Sequence, residues 1–388
     1  MSRTILHLDL DAFFCAVEET RDPTLRGKAF AVGGKPDERG VVASCSYAAR
    51  QFGVRSAMPM SRALRLCPGL IIVSSQHRRY SEVSKQVMER LFKLTPLVEQ
   101  ISIDEAFLDI SDLRESPESL ARQLQTRIRD ELSLPSSIGV ASNKLVSKIA
   151  TEVGKKSSKG AGPPYGLTIV PAGEEAAFLA PLPADMLWGV GPKTSQRLAE
   201  LGIHTMGDIA KWPENELIRQ FGENGRDLAR HAKGMDDRPV VTERETKSIS
   251  QEITFARDVR NDQSLEKTLR EQAVEVARQL RKNNLAGTTI KLKIRWPDFT
   301  TLTRQVTLAH PTDRSEEIVK AALELLKAVR KSGQAVRLIG VGVSGLGPPI
   351  RQLSLWEVDS EKSRRLQEAV DELKQKYGDA VIQKGERP

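Results

Sequence analysis

Ser102-Ile103-Asp104-Glu105-Ala106-Phe107-Leu108-Asp109 sets two adjacent carboxylates between apolar residues, and its reading decides the fold. Residues 98–110 are expected to form two strands folded over the Asp104-Glu105 pair. In a regular strand, neighbours point to opposite faces, whereas at a tight turn both acids can converge on one point. Far upstream, residues 5–10 alternate: Leu6, Leu8 and Leu10 share one face, and His7, Asp9 and Asp11 the other. That is a strand whose polar face ends in two carboxylates. Asp9, Asp104 and Glu105 would repel one another unless something positive sat among them, and oxygen-only ligands suit Mg²⁺. Two such ions about 3.5–4 Å apart stabilise both the attacking and the leaving oxygen of an in-line phosphoryl displacement. An isolated Asp-Glu pair is more often a solvated strand end, so the rest of the chain must decide.

Outward from these acids, the pattern is mixed. Residues 12–19 carry Phe13, Phe14 and Val17 and read as a short helix; 30–32 and 41–43 read as strands around a Gly-Gly-Lys-Pro turn. Residues 44–52 look helical, with Ser44 near the helix start. Val83, Val87 and Leu91 recur every four residues, as do Leu120, Leu124, Ile128 and Leu132, so two amphipathic helices follow. Residues 137–141 read as a strand, followed by a helix carrying Lys144 and Lys148, with Lys144 expected to be a solvated lysine. The tract 155–160 is basic and loop-like. Short helices broken by Gly and Pro run from 179 to 234, and 236–245 reads as a charged linker. Beyond it, strands such as 289–296 alternate with helices at 264–282 and 315–330. The α+β pattern up to about residue 167 implies one core with an inserted lobe.

Composition narrows the class. At 388 residues the chain exceeds one hydrophobic core, and 39% hydrophobic with 28% charged residues fits a water-soluble protein of several domains. The net charge is +8, and residues 247–346 hold 18 Lys and Arg against 11 Asp and Glu, nearly all of that excess. A polyanionic partner is implied for that segment. Cys15, Cys45 and Cys67 form no CxxC pair, which argues against structural zinc and fits buried thiols in a reducing compartment. No signal peptide and no stretch of about 18 apolar residues occurs, so a cytoplasmic location without membrane contact is expected.

Leu8-Asp9-Leu10-Asp11-Ala12-Phe13-Phe14 and the 102–109 string resemble the two catalytic signatures of the Y-family (translesion) DNA polymerases. Residues 44–50 and 143–150, the latter with Lys148-Ile149-Ala150, match that family in order and spacing, and its bacterial branch is the closest fit. The resemblance spans about residues 4–345. It implies a right-hand polymerase: palm at 1–11 and 76–167, fingers at 12–75, thumb at 168–235, linker at 236–246, little finger at 247–346, and a tail at 347–388. It also implies error-prone synthesis past damaged bases, without a proofreading exonuclease, by a monomer acting on primer-template DNA and dNTPs.

Carried over residue by residue, Asp9 and Asp104 would bridge two Mg²⁺ ions, with Glu105 completing the catalytic-metal site and the Leu10 carbonyl holding the nucleotide-associated ion. Asp11 would be a supporting residue. Ser44, Tyr47, Arg50 and Lys148 would hold the triphosphate; Tyr47 and Arg50 are three apart and share a helix face. Phe14 falls where the family places a bulky side chain beneath the incoming sugar, excluding a 2′-hydroxyl. Trp188-Gly189-Val190-Gly191-Pro192-Lys193 resembles a helix-hairpin-helix turn, whose Gly189 and Gly191 would let backbone N–H groups, with Lys193, approach a DNA phosphate. Lys291, Lys293 and Arg295 alternate on one strand face opposite Ile290, Leu292 and Ile294, and would track phosphates. Gln352-Leu353-Ser354-Leu355-Trp356 resembles the pentapeptide that binds the bacterial sliding clamp, although Trp356 stands where Phe is usual. Two other readings compete: a non-catalytic DNA scaffold, which would have lost a carboxylate, and a nucleotide cyclase with a similar palm, which has no use for a basic DNA-tracking domain.

Overall fold

The computed structural model describes residues 3–157 and 162–349, with residues 366, 369, 370, 373 and 377. The expected clamp peptide, Gln352, Leu353, Leu355 and Trp356, lies outside the described residues. The chain divides into two compact units, Met1–Arg244 and Glu245–Pro388.

In the first unit, β1 (Ile5–Leu10) leads through Ala12, which turns in the left-handed region at φ 47°, into α1 (Phe13–Arg21). A small lobe follows: β2 (Phe30–Gly33), β3 (Val42–Cys45), α2 (Tyr47–Gln51), α3 (Met60–Leu66) and β4 (Ile71–Val73). Its three-stranded sheet has the order β3-β2-β4 and its own core of Ala31, Val42, Cys45, Ala49 and Met60. Ser44 belongs to β3, paired with Val32, and is not at a helix start. The cap of α2 is Ser46, whose Oγ accepts from the Ala49 N–H at 3.2 Å.

The chain then forms α4 (His77–Leu94), β5 (Val98–Gln100), β6 (Glu105–Asp109), α5 (Pro117–Leu132), β7 (Ser136–Ala141), α6 (Lys144–Ser157) and β8 (Leu167–Ile169). The central sheet runs β5-β6-β1-β7-β8, with β1 antiparallel to both neighbours. Leu6, Leu8 and Leu10 pack with Ala106 and Leu108 against Val87 and Leu91 of α4 and Leu120, Leu124 and Ile128 of α5. Burying that face stabilises the fold by about 2 kcal/mol per leucine side chain.

The other face of the sheet is covered by α6, and Gly139 explains how closely. Gly139 pairs with His7, and a Cβ there would lie 2.1 Å from the Ser147 carbonyl oxygen and 2.7 Å from Thr151 Oγ1. Only glycine admits the helix at this distance. The helix starts on Asn143 Oδ1, which accepts from the Val146 N–H, and on Asp236 Oδ2, which accepts from the Leu145 N–H. It runs on through Ser157, so Lys155 and Lys156 are helical where a loop was expected. Lys144 is buried, 2.8 Å from Glu99 Oε2, and is not a solvated lysine.

Five short helices follow: α7 (Glu175–Leu179), α8 (Pro192–Glu200), α9 (Met206–Lys211), α10 (Glu214–Phe221) and α11 (Glu223–His231). They share a core with Leu145, Val146 and Ile149 of α6. The charged segment after them is pinned at its start. Arg3 donates to the carbonyls of Asp236, Asp237 and Arg238, and the buried Asp236 carboxylate accepts from Arg238 Nε at 2.7 Å.

The second unit comprises β9 (Ser248–Val259), α12 (Asp262–Lys282), β10 (Ala286–Arg295), β11 (Thr301–Thr312), α13 (Ser315–Val329) and β12 (Val336–Gly347). Its antiparallel sheet has the order β11-β10-β12-β9. Ile290, Leu292 and Ile294 pack with Leu269, Val276 and Leu280 of α12 and Ile318 and Ala322 of α13. Among the described residues, no helix is long and apolar enough to cross a membrane, and all three cysteines are buried free thiols.

Candidate active site and nucleic-acid interface

Register brings the acids together. Asp9 pairs directly with Glu105 across β1 and β6, and the Leu10 N–H donates to the Asp104 carbonyl at 3.0 Å. Asp104 occupies the bend before β6, where its carboxylate accepts from Ser102 Oγ. Glu105 is the first residue of β6, so the expected turn ends at it rather than enclosing both acids.

The carboxylates differ in charge state because their partners differ. Burial pushes the Asp9 carboxyl up to about 7, against the pull of Lys155, whose Nζ lies 2.7 Å from Oδ1. Burial would also raise Glu105. There the His7 and Lys148 hydrogen bonds and charges outweigh it and hold the carboxyl down at about 2. His7 Nε2 is 2.7 Å from Glu105 Oε1, and Lys148 Nζ bonds the same oxygen. Asp11 is buried, raised to about 6 by that burial, and accepts from Ser137 Oγ at 2.9 Å. Among the described residues, no three His, Cys, Asp or Glu side chains close on one point as a ready metal cage.

Around this cluster, Phe14 is half-buried and stacks on Tyr80, with centroids 4.3 Å apart and planes at 15°. The Tyr80 hydroxyl donates to the buried Glu18 at 2.8 Å, which fixes the platform beneath the Phe14 ring. On α2 the Arg50 guanidinium lies 4.5 Å over the Tyr47 ring, as their three-residue spacing requires. Ser44 is buried in β3.

Gly189 has φ 97°, a conformation that requires glycine, and Gly191 caps α8 with Pro192 at its first position. Gly189, Gly191 and Lys193 are exposed. Trp188 before them is half-buried, with Phe107 at 6.1 Å, Lys148 Nζ at 5.5 Å and the Arg238 guanidinium at 4.5 Å from its ring. In the second unit, Lys291, Lys293 and Arg295 stand on the sheet face that carries no helix; Lys293 Nζ is 2.7 Å from Glu252 Oε2.

Sequence reasoning missed four residues here: His7, Tyr80, Lys155 and Trp188. His7 left a signal, since it shares the strand face of Asp9. Lys155 was hidden because its helix was expected to stop sooner.

Comparison with known proteins identifies this fold with its acidic strand ends as a DNA-directed DNA polymerase of right-hand architecture with an additional C-terminal domain. The chain belongs to the impB/mucB/samB family, matching it over residues 8–152 and its C-terminal domain over residues 246–355. It is similar to DNA polymerase IV of Dehalococcoides mccartyi, 42% identical over 389 residues covering 99% of this chain and 97% of the relative. DNA polymerase IV of Listeria innocua is 40% identical over 350 residues, 89% of this chain and 96% of the relative. Among solved structures, a Y-family DNA polymerase chimera covers 89% of this chain and 99% of its own, at TM-score 0.77 and 27% identity. The insertion ternary complex of Dbh DNA polymerase covers 89% and 99%, at TM-score 0.64 and 27% identity.

Proposed function

We propose that the chain extends primers by two-metal phosphoryl transfer, reads past damaged template bases, and has no proofreading exonuclease. The observation that carries this reading is the register: Asp9 opposite Glu105, with Leu10 bonded to Asp104, sets three acids at one end of two central strands. The donor set fits a divalent cation. It is made of oxygens, and the cluster already draws the ammonium groups of Lys155 and Lys148, with which a cation would compete. Asp9, Asp104, Glu105 and the Leu10 carbonyl would hold two Mg²⁺ ions. Bound there, the ions would lower the pKa of the primer 3′-hydroxyl and offset the charge of the triphosphate.

The protein's own groups do the rest. Arg50, Tyr47 and Ser44 would hold the triphosphate, and Lys148 would join them by exchanging Glu105 for phosphate. Phe14, held from below by Tyr80, would meet the C2′ position and exclude ribonucleotides. Gly189, Gly191 and Lys193 of a thumb at 168–235, with Lys291, Lys293 and Arg295 of a little finger at 247–346, would bind primer-template backbone. The palm would comprise 1–11 and 76–167, the fingers 12–75 and the linker 236–246. A monomer in the cytoplasm, tethered to a sliding clamp through residues 352–356 of the 347–388 tail, completes the reading.

Primer extension on undamaged and abasic templates tests it. Asp104→Ala is expected to cut insertion by about a thousandfold or more, roughly 4 kcal/mol of barrier, with duplex affinity kept. Extension at near the unsubstituted rate would overturn the two-metal assignment.

A further inference from the structure

His7 is fully buried, yet both its ring nitrogens are engaged. Nε2 meets Glu105 Oε1 at 2.7 Å, and Nδ1 meets Thr151 Oγ1 at 2.8 Å. Packing alone does not ask for this: the ring rests against Phe107 at 4.7 Å, where a phenyl group would fill the same space. An imidazole with one N–H donates from one ring nitrogen and accepts at the other. Which nitrogen carries it depends on the other's partner. Thr151 Oγ1 has a single proton, within reach of Nδ1, of the Ser147 carbonyl at 3.1 Å and of the His7 carbonyl at 3.3 Å. Given to Nδ1, it leaves the N–H on Nε2, aimed at the carboxylate. Both donors to Glu105, His7 and Lys148, take Oε1. Among the described residues, Oε2 has no hydrogen-bond donor and is the oxygen left for a cation. Gly139 makes the arrangement possible, because any side chain there would push Thr151 away from His7.

We propose that Thr151 and His7 form a buried relay of positioning residues that fixes the rotamer of Glu105, so that one oxygen stays tied to the protein while the other faces the metal site. The inference rests on Glu105 being a metal ligand. Outer partners of this kind, when removed, cost about 10–100-fold in metal affinity or activity.

The test uses the full chain bound to primer-template. Mn²⁺ binding is measured by electron paramagnetic resonance without nucleotide, beside the metal dependence of single-turnover insertion, DNA affinity and thermal melting. His7→Phe keeps the ring shape and removes the donor; His7→Gln returns an N–H near the Nε2 position; Thr151→Val removes only the hydroxyl. His7→Phe is expected to raise the Mn²⁺ midpoint about tenfold or more with DNA affinity unchanged. His7→Gln should recover most of that loss, and Thr151→Val should shift the midpoint the same way by less. A His7→Phe protein that melts earlier but keeps the Mn²⁺ midpoint would reduce His7 to packing and overturn the relay, as would a His7→Gln midpoint no better than that of His7→Phe. Should His7→Phe not fold, Thr151→Val decides: a raised midpoint supports the relay and an unchanged one overturns it. Glu105→Gln separates the two levels of the argument. If it leaves the Mn²⁺ midpoint unmoved, Glu105 is not a ligand and the proposed metal site itself fails; if it moves the midpoint and His7→Phe does not, only the relay fails.

Discussion

Strands β1 and β10 are built on the same alternation and end in opposite environments. In β1, Leu6, Leu8 and Leu10 face a core while His7 and Asp9 face away; in β10, Ile290, Leu292 and Ile294 face a core while Lys291, Lys293 and Arg295 face away. Over β1 the polar face is covered by α6, and burial lowers His7 and lifts Asp9 to about 7. Over β10 no helix lies on the polar face, and Lys291 is exposed. The same alternation therefore yields a buried polar cluster or an open basic surface according to what lies on it. Covering the face makes partners obligatory, because an unpaired buried charge is costly; leaving it open makes them optional.

The largest expected effect comes from breaking an obligatory partner. Glu99 is buried in β5, with Lys144 Nζ at 2.8 Å, the Val241 N–H at 2.9 Å and the Arg244 guanidinium also donating to it. Lys144→Ala should cost about 3 kcal/mol in urea unfolding at neutral pH. Burial would raise the Glu99 carboxyl, but these donors outweigh it and hold it below its ordinary value. A depressed folded pKa gives stability that is present above the unfolded value, about 4.3, and is lost as pH falls below it. Lys144→Ala shrinks that depression, so the variant should lose less stability than the parent as pH falls below this value, and the two stability curves should converge in acid. Equal curves would show that the pair contributes nothing.

Gly139→Ala comes next. Its Cβ would meet Ser147 and Thr151 backbone and side-chain atoms, so α6 must lift from the sheet. We expect about 2 kcal/mol of lost stability and slower insertion, since Lys148 and Thr151 move with the helix. Normal insertion in a folded Gly139→Ala protein would mean that the cover over β1 is not what aligns the site.

How much of this was legible in residue order follows from the same contrast. Alternation is local, so β1, β6 and β10 could be read directly, whereas the meeting of Asp9 with the distant Asp104 and Glu105 came only through the resemblance of their motifs to a known family. What covers a face is not local. His7 stood beside Asp9 in the pattern, but nothing in residues 5–10 announces a helix on top of it. Lys144 read as solvated because its partner, Glu99, lies 45 residues away. Ser44 and Ser46 are equally good caps by chemistry; the pairing of Ser44 with Val32 in a strand decided between them.

On the open face, substitutions should spare stability and change binding. Lys291→Ala, Lys293→Ala and Arg295→Ala together should leave unfolding within about 1 kcal/mol, as exposed positions usually do. The logarithmic salt slope of primer-template binding should flatten by about 0.9 for each phosphate that is no longer neutralised. A slope equal to that of the parent would show that this face does not touch the DNA backbone.

The smallest effect concerns Glu252, which forms an ion pair on this basic face. It sits on β9, two strands from β10, and pairs with Lys293 at 2.7 Å. The two side chains meet over Gly340, where a Cβ would lie 2.6 Å from that of Glu252. Both partners are partly exposed, so the pair itself adds well under about 1 kcal/mol to stability. Its effect on binding has the opposite sign. A phosphate approaching Lys293 must displace the carboxylate or sit beside it, and either costs affinity. Glu252→Gln keeps the size of the side chain and removes its charge, so DNA should bind about two- to fivefold more tightly at low salt, an effect that screening erases near 1 M. Unfolding should stay within about 0.5 kcal/mol of the parent. If Glu252→Gln binds DNA more weakly, the carboxylate is orienting Lys293 toward phosphate rather than competing for it, and the open face is as dependent on its partners as the buried one.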